Sequence, residues 1–589
     1  MSSQDERNRK IIIEFCHLLE KSKQLFNGLR ELPPYGHKQW HVHFGKTFDV
    51  YTKLWKFQQQ HRELLDTKYG LKRWQIGEIA SKIGQLYYHF YLRTSDTAYL
   101  SEAFAFYYAI RGRSYYTRAC REDRSELMVK KLRYYARFMV VCILLQKIKM
   151  VKDLIKELNK QIIEYGTIYD PDDQIEWTLV LDEVKAFVRA EPGVAVVNAE
   201  NIAIILTHRL TPHSIPPIER SSYMNLKLQE ALIIGSNSYQ VKFSELTMDM
   251  FRILQIIERE PTGDVPHLFE EPPRNRYTGV PEPSVPKDDG PPRRDTGNPH
   301  KFLLYKPSPN QVMVYLASSC DELTPNGAVL LYLSAEGHTA AAAAAASAAV
   351  ASTSTAKLHD EGFDTGGLIT TSKSDVYRDY NKETRSTYGK CKEGQCLYPG
   401  DIHPFTRKPL FIIIDSDNSF AFQNIPRHFG QPLVILMSPI NQLPALQERR
   451  HQGNLFTLFL QAPIVGLAMS CELDTIPLNN YDRCLPLLSS FMAETNAILA
   501  RTRLDSNFYP FMGDDFLRTI LYRYIFCEVT LRMHRGFRNR SNFPKCNPPI
   551  PDEVFDRPAL VDLVLEISNC LTVRQFFHDT YLSGANTNV

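Results

Sequence analysis

Residues Phe411–Ser419 read FIIIDSDNS. Four large apolar residues run directly into Asp415 and Asp417, the pattern of a buried strand that ends where polar chemistry begins. A strand that is apolar at every position is covered on both faces, as in a parallel α/β sheet. Two further runs repeat the pattern, GAVLLYLSA at 327–335 and PLVILMS at 432–438. Ser308-Pro309 opens a helix predicted to run to about Leu323. Residues 300–443 are therefore expected to form an α/β region around a short buried parallel sheet. Ala340–Ala346, inside the Ala/Ser/Thr-rich stretch 339–356, lacks the side chains for a core and reads as a surface-loop insertion. Residues 444–589 return to helical periodicity, notably at 510–537 and 558–571, and are expected to pack on the sheet.

Upstream of the sheet the composition breaks. Ten prolines fall within residues 261–299, which read as a linker or long surface loop because so few apolar anchors offset the cost of ordering. Residues 191–260 are mixed and continue the N-terminal module, with IAIILT (202–207) predicted as a strand and 243–260 as a helix. Residues 1–190 read as all-helical. Ile11, Phe15, Leu18, Phe26 and Leu29 make a helical stripe that stops before Pro33-Pro34, because the residue ahead of a proline disfavours helix. Further helical patterns span about 38–67, 71–93, 97–112, 124–149 and 151–165, and Asp170-Pro171 supplies a cap and first position for one more. YLSEAFAFYYAIRGRSYY (99–116) and VKKLRYYARFMVVCILLQKIK (129–149) alternate small and aromatic residues as stacked helix hairpins do. The expected fold is thus mixed but mainly α. It comprises an N-terminal helical bundle or divergent helical-repeat array, an α/β region and C-terminal helices.

The 589 residues are 43% hydrophobic and 23% charged, ordinary for a folded protein, and the formal net charge is +3. That average conceals an asymmetry. Residues 37–160 carry 24 Lys/Arg against 11 Asp/Glu, a net +13, so the remainder carries −10. Ten of the 30 tyrosines lie between Tyr87 and Tyr135. Eleven scattered cysteines lack the density of a disulfide scaffold and indicate a reducing compartment. MSSQDERNRKIIIEFC holds no apolar core of a secretory signal. Gln452–Cys471 is uncharged over twenty residues, but Asn454, Gln461 and Pro463 favour a buried helix kinked at the proline over a membrane span.

Three constellations bear on chemistry. Asp415 and Asp417 stand where α/β ligand sites form, suited to a phosphatase-like nucleophile or a metal ligand, although the same residues cap helices. Cys391, Cys396 and His403 offer zinc-like ligands without the second close pair that a tetrahedral site requires. Neither a phosphate loop nor a G-x-S-x-G elbow is present, so no catalytic, cofactor or metal residue is assigned. The basic features carry more weight. Arg111, Arg113, Arg118, Arg121, Lys130, Lys131, Arg133 and Arg137 are interleaved with Tyr115-Tyr116 and Tyr134-Tyr135, and Arg532, Arg535, Arg538 and Arg540 form a second cluster. Guanidinium groups among aromatics suit phosphates and stacked bases, or an acidic protein surface.

Longer blocks carry a resemblance. KSKQLFNGLRELPPYG (21–36), FDVYTKLWKFQQQHRELLD (48–66) and YGLKRWQIGEIASKIGQLYYHFYLRTS (69–95) are followed by VKKLRYYARF (129–138) and NPHKFLLYKPS (298–308). LYPGDIHPFTRKPLFIII (397–414), FGQPLVILMSP (429–439) and NLFTLFLQAP (454–463) complete the series. In order and over nearly the whole chain, these blocks resemble the suppressor of cancer cell invasion family. The resemblance implies a non-enzymatic nuclear cofactor, also found in the cytoplasm, with no cofactor of its own. Such a protein binds myocardin-related transcription factors and represses serum response factor targets downstream of Rho signalling, restraining migration. The resemblance also implies a role in DNA double-strand-break repair with the p53-binding repair scaffold. The expected function is a corepressor that docks through the basic helical surface. The alternatives are a DNA-binding repair accessory and, behind it, an enzyme using Asp415 and Asp417.

Overall fold

A computed structural model describes residues 3–578 except 34, 37–39, 117–124, 170, 212–214, 219–220, 261–297, 339–365, 373–393 and 442. Two compact units emerge: residues 1–185 with 259–298, and residues 186–258 with 299–589. Asn298 ties its end of the chain into the first unit. It donates to the Ser95 carbonyl (3.0 Å) and accepts from the Arg259 amide (2.7 Å).

In the first unit the long helices are Ser3–Gly28, Trp40–Gln60, Arg73–Thr94, Thr97–Gly112, Ser125–Leu144 and Ile148–Ile168, with Pro171–Ala190 crossing into the second. Successive helices among the first six pack as neighbours, as the helix-hairpin reading expects. Asp96 caps the fourth helix by accepting from the Ala98 amide (2.9 Å). The core is built from rings. Trp40, Phe44, Phe48 and Phe90 pack together, and Tyr107, Tyr134 and Phe138 form a second cluster. Gly84 permits one close approach, since a Cβ there would meet the Tyr107 ring at 3.1 Å. This core accounts for the tyrosine skew. Tyr87, Tyr91, Tyr107, Tyr116 and Tyr134 are all buried.

The second unit is organised by a six-stranded sheet. Its strands are β2 (Lys227–Gly235), β5 (His300–Tyr305), β6 (Gly327–Ser334), β10 (Leu410–Asp415), β11 (Leu433–Met437) and β13 (Lys545–Asn547). The spatial order is β13-β11-β10-β6-β2-β5, parallel except for β13. Counted along the chain, the parallel strands lie in the order second, first, third, fourth, fifth, a doubly wound arrangement. Leu232, Leu331, Ile412 and Ile435 are aligned across the sheet and fully buried on one face. The helix Pro309–Asp321 contributes Val312 and Leu316 to that face. The opposite face carries Tyr332, whose hydroxyl lies 2.6 Å from the Thr457 hydroxyl, and Phe411, which packs edge-on against Phe511.

Three expectations need correction. The 202–207 run makes only an isolated bridge between Ala203 and Val197, where the chain reverses at Asn198, whose side chain accepts from the Glu200 and Ile202 amides; β1 (Ala195–Val197) takes β12 (Thr475–Pro477) as its parallel partner. The 243–260 helix begins five residues late, at Met248. Lys242–Phe243 and Leu246–Thr247 form a small hairpin around Ser244 at φ 53°, and Thr247 then caps the helix. The 510–537 helix is split, with Asp514 accepting from the Phe516 and Leu517 amides to start Asp515–Met533.

The uncharged 452–471 run forms two buried helices, Leu455–Gln461 and Pro463–Ser470. Pro463 cannot continue the first ladder, and Arg523 donates to the carbonyls of Leu460 and Gln461 at 2.8 Å each. Among the described residues no helix is long and apolar enough to cross a membrane.

Candidate functional site

The carboxyl edge of the parallel sheet is the natural ligand position of this topology, at the point between β2 and β6 where strand order reverses. Asp415 ends β10 there, 1% exposed. Its Oδ2 accepts from the Thr457 amide (3.0 Å) and the Thr457 hydroxyl (2.6 Å). Asp249, in the first turn of the helix Met248–Ile257, is fully buried. Its Oδ2 accepts from Ser334 Oγ (2.8 Å) and Gln240 Nε2 (2.5 Å), and its Oδ1 from the Asn454 amide (2.9 Å). Ser334 Oγ in turn accepts from Asn237 Nδ2 (2.7 Å). The edge is closed by the protein's own groups.

Burial, followed by the facing Asp249, pushes the Asp415 carboxyl up to about 7. Burial also raises Asp249, against the pull of Arg252. Such a carboxyl is a poor resting nucleophile or metal ligand, because its charged form is disfavoured and both donors on Oδ2 come from one residue of a covering helix. Asp417 reaches the surface, yet it accepts from the Gly337 amide (2.6 Å) and the Ser416 hydroxyl (3.3 Å). Asn418 holds the carbonyls of His338 and Gly367. Two carboxylates two residues apart therefore point to different tasks, one beneath a helix and one pinning a loop. A cavity of about 10 Å³, lined in part by Ser438, Leu455, Phe456 and Cys527, has room for a single water molecule.

The zinc-like set is not assembled by the described residues. Cys391 lies outside them, and the His403 ring packs edge-on to His428 and tilted against Phe429. No group of three His, Cys, Asp or Glu placed to hold a metal occurs among the described residues.

The basic helical residues divide by how much of their charge is met internally. Arg111 pairs with Glu157 at 2.6 Å, which raises its pKa further. Arg113 donates to the Tyr115 hydroxyl (3.2 Å) from a half-buried position. Lys130 pairs with Glu78 at 2.9 Å, and Lys131 is 6% exposed. Arg137 is half-buried with its pKa lowered, first by burial. Arg133 is open to solvent. Arg118 and Arg121 lie outside the described residues. Half of the tyrosines interleaved with this set are withdrawn from any stacking platform, while Tyr115 and Tyr135 stay partly exposed. Tyr134 and Tyr116 are buried, and the Tyr134 hydroxyl donates to the Tyr107 carbonyl (2.9 Å).

In the second unit Arg532 is internal. Its guanidinium pairs with Glu528 and with Asp552 (2.8 Å), and lies over the Phe555 ring at 4.4 Å. Arg535, Arg538 and Arg540 are exposed, with Arg535 Nε donating to the Phe577 carbonyl and Arg538 Nε to the Arg535 carbonyl. Among the described residues the exposed basic positions of the two clusters are therefore Arg133 on one unit and Arg535, Arg538 and Arg540 on the other, with Arg113 half-buried.

Sequence reading did not find Thr457, Asn454 and Asp249, which close the sheet edge. They stand 42, 39 and 166 positions from Asp415, and no local pattern connects them.

Comparison with known proteins is decisive where local geometry is quiet. A family model described as Protein SCAI matches residues 17–537. Protein SCAI of Mus musculus is 49% identical over 577 residues, covering 97% of this chain and 90% of the relative. Protein SCAI of Homo sapiens is 49% identical over 578 residues with the same coverage. The Protein SCAI homolog of Dictyostelium discoideum is 34% identical over 715 aligned positions, covering 96% of this chain and 91% of the relative. No solved structure matches the chain.

Proposed function

The chain belongs to the Protein SCAI family, and from that premise we propose that it is a non-enzymatic transcriptional corepressor. It binds myocardin-related transcription factor in its complex with serum response factor. Occupying the coactivator's contact surface prevents a productive promoter complex, downstream of Rho signalling, and so restrains cell migration. It acts in the nucleus and is also present in the cytoplasm. A second task of the same protein is to join the p53-binding scaffold at DNA double-strand breaks.

The observation that carries this reading is the match of nearly the whole chain to that family. The filled sheet edge supports it, because among the described residues Asp415 is buried beneath Thr457, which donates to it twice. The outward charge supports it too. Arg113 and Arg133 offer cations to an acidic partner without serving an internal ion pair that the structure shows. In cells depleted of the endogenous protein, the wild-type chain should repress a serum response factor reporter. Arg113→Glu with Arg133→Glu should fail to repress and fail to capture purified myocardin-related transcription factor. Full repression by that variant would remove the docking surface from the account.

Direct nucleic-acid contact is a second reading, favoured by the exposed Arg535, Arg538 and Arg540. It predicts that affinity for duplex or single-stranded DNA falls steeply with salt through counterion release. Absence of DNA retention at low salt would remove it.

A further inference from the structure

Two contacts fix three elements of the first unit against one another. Lys130 of the helix Ser125–Leu144 pairs with Glu78 of the helix Arg73–Thr94 at 2.9 Å. Arg93, at the far end of the latter helix, donates to the Pro33 carbonyl at 2.6 Å, just beyond the helix Ser3–Gly28. The Phe26 ring sits between these ties. It stacks on His89 with centroids 5.9 Å apart, and the Lys82 ammonium lies 4.4 Å from its centroid. Arg30 follows Phe26 by one helical turn. The helices of Glu78 and Lys130 advance together from that pair, because the Tyr107 ring meets Gly84 on one and Tyr134 and Phe138 on the other. At about 1.5 Å per residue, Lys82 stands about 6 Å and His89 about 16 Å beyond Glu78, and Arg137 stands about 10 Å beyond Lys130. Arg30, Lys82 and Arg137 therefore converge from three elements on the Phe26–His89 stack.

Among the described residues the side chains of these three cations form no ion pair or hydrogen bond. Glu78, the carboxylate that acts on Lys82, is held by Lys130. The mutual repulsion shows in the titration. Burial, then Arg137 and Arg30, brings the Lys82 ammonium down to about 8. Burial, followed by Arg137, Arg30 and Lys82, brings His89 down to about 4. Lys82 and Arg137 are half-buried while Arg30 is exposed, so the group is reached from solvent. Like charges held together in this way destabilise the fold, and an anion that binds among them reverses the effect.

The geometry selects the anion. Guanidinium groups fork onto phosphate oxygens, and an ammonium adds a point charge beside them. An extended acidic peptide brings one charge per residue and turns alternate residues to opposite sides. Phosphate groups on a small ring bring up to about two charges each within the same few ångströms. We propose that Arg30, Lys82 and Arg137, gathered around the Phe26–His89 stack, form a binding site for a small polyphosphorylated ligand of the inositol polyphosphate class. The site goes beyond the corepressor reading, and its test contains no protein partner.

Full-length protein is titrated calorimetrically with inositol hexakisphosphate at physiological ionic strength. The wild type should bind. Lys82→Gln with Arg137→Gln should weaken binding by about tenfold or more, and Arg30→Gln alone by about threefold or more. Lys152→Gln with Lys160→Gln removes the same charge from exposed positions of the helix Ile148–Ile168 and should stay within about twofold of the wild type. Without ligand the Lys82 and Arg137 variant should melt no lower than the wild type, because repulsion has been relieved, and the ligand should raise the melting temperature of the wild type but not of that variant. If that variant unfolds, Arg30→Gln decides alone, and binding untouched by it contradicts the site. Absence of binding by the wild type, or an equal loss in the Lys152 and Lys160 variant, overturns the proposal, since net charge would then explain retention. Vesicles containing phosphatidylinositol bisphosphate distinguish the source. Co-sedimentation that excess hexakisphosphate abolishes assigns a lipid headgroup, and binding of the free anion without co-sedimentation assigns a soluble ligand.

Discussion

The two regions that stand out for chemistry in the sequence treat their polar side chains in opposite ways. At the sheet edge, Asp415, Asp249, Ser334 and Asn237 turn inward and are bonded to one another or to the helix above them. On the basic helices, Arg133 faces out and Arg113 is half-buried, while Tyr116 and Tyr134 beside them are consumed by the core. The difference teaches that identical-looking signals, a carboxylate pair and an arginine–tyrosine cluster, are separated by topology. A strand end beneath a helix becomes structure, and the outward side of a helix becomes surface.

The largest effect should come from breaking the inward network. Asp415→Ala leaves the Thr457 amide and hydroxyl without their acceptor and opens a void, so unfolding in denaturant should show a loss of about 2–4 kcal/mol. Partner affinity per folded molecule should remain as in the wild type. Arg532→Ala comes next. It strands the buried Glu528 carboxylate and removes the cation over Phe555, for an expected loss of about 1–3 kcal/mol by the same measurement. Little change there would place Arg532 with the outward arginines and blur the comparison.

A smaller effect concerns pH. Burial is the leading cause that raises both Asp415 and Glu528 to about 7, from ordinary values of 3.8 and 4.5. Between about pH 4 and 7 the folded chain therefore holds protons that the unfolded chain has released, so these groups make stability fall as pH rises through that window. Asp415→Asn should reduce that slope in a series of urea titrations. An unchanged slope would mean that Asp415 is ionised in the fold. The smallest stability effect is expected outside. Arg133→Glu should leave the melting temperature unmoved while weakening partner capture, and a large drop in melting temperature would show that this arginine is structural.

Much of the fold is legible in the sequence, for physical reasons that are local. Phe411–Asp415 and its companion runs are apolar at every position because both faces of a parallel strand are covered. The stripes of the first 190 residues repeat at the helical period because one side faces a core. What local pattern misses is pairing at a distance. β1 pairs with β12 some 280 residues away, and 202–207 makes one bridge and no strand. The site was legible only in outline. Sequence placed Asp415 at the edge of a sheet, but not the Thr457 helix that covers it. It placed the arginines on helices, but not which of them meet Glu157, Glu78 or Glu528.

The central claim, that function resides in an outward binding surface and not in the sheet edge, is tested most directly by one calorimetric titration. Purified myocardin-related transcription factor is titrated into the wild type, into Asp415→Asn with Asp417→Asn, and into Arg113→Glu with Arg133→Glu. The account predicts that the acidic-edge variant binds within about twofold of the wild type and that the arginine variant loses about tenfold or more. Loss of binding by the edge variant alone, with the arginine variant unaffected and both proteins folded, would contradict it.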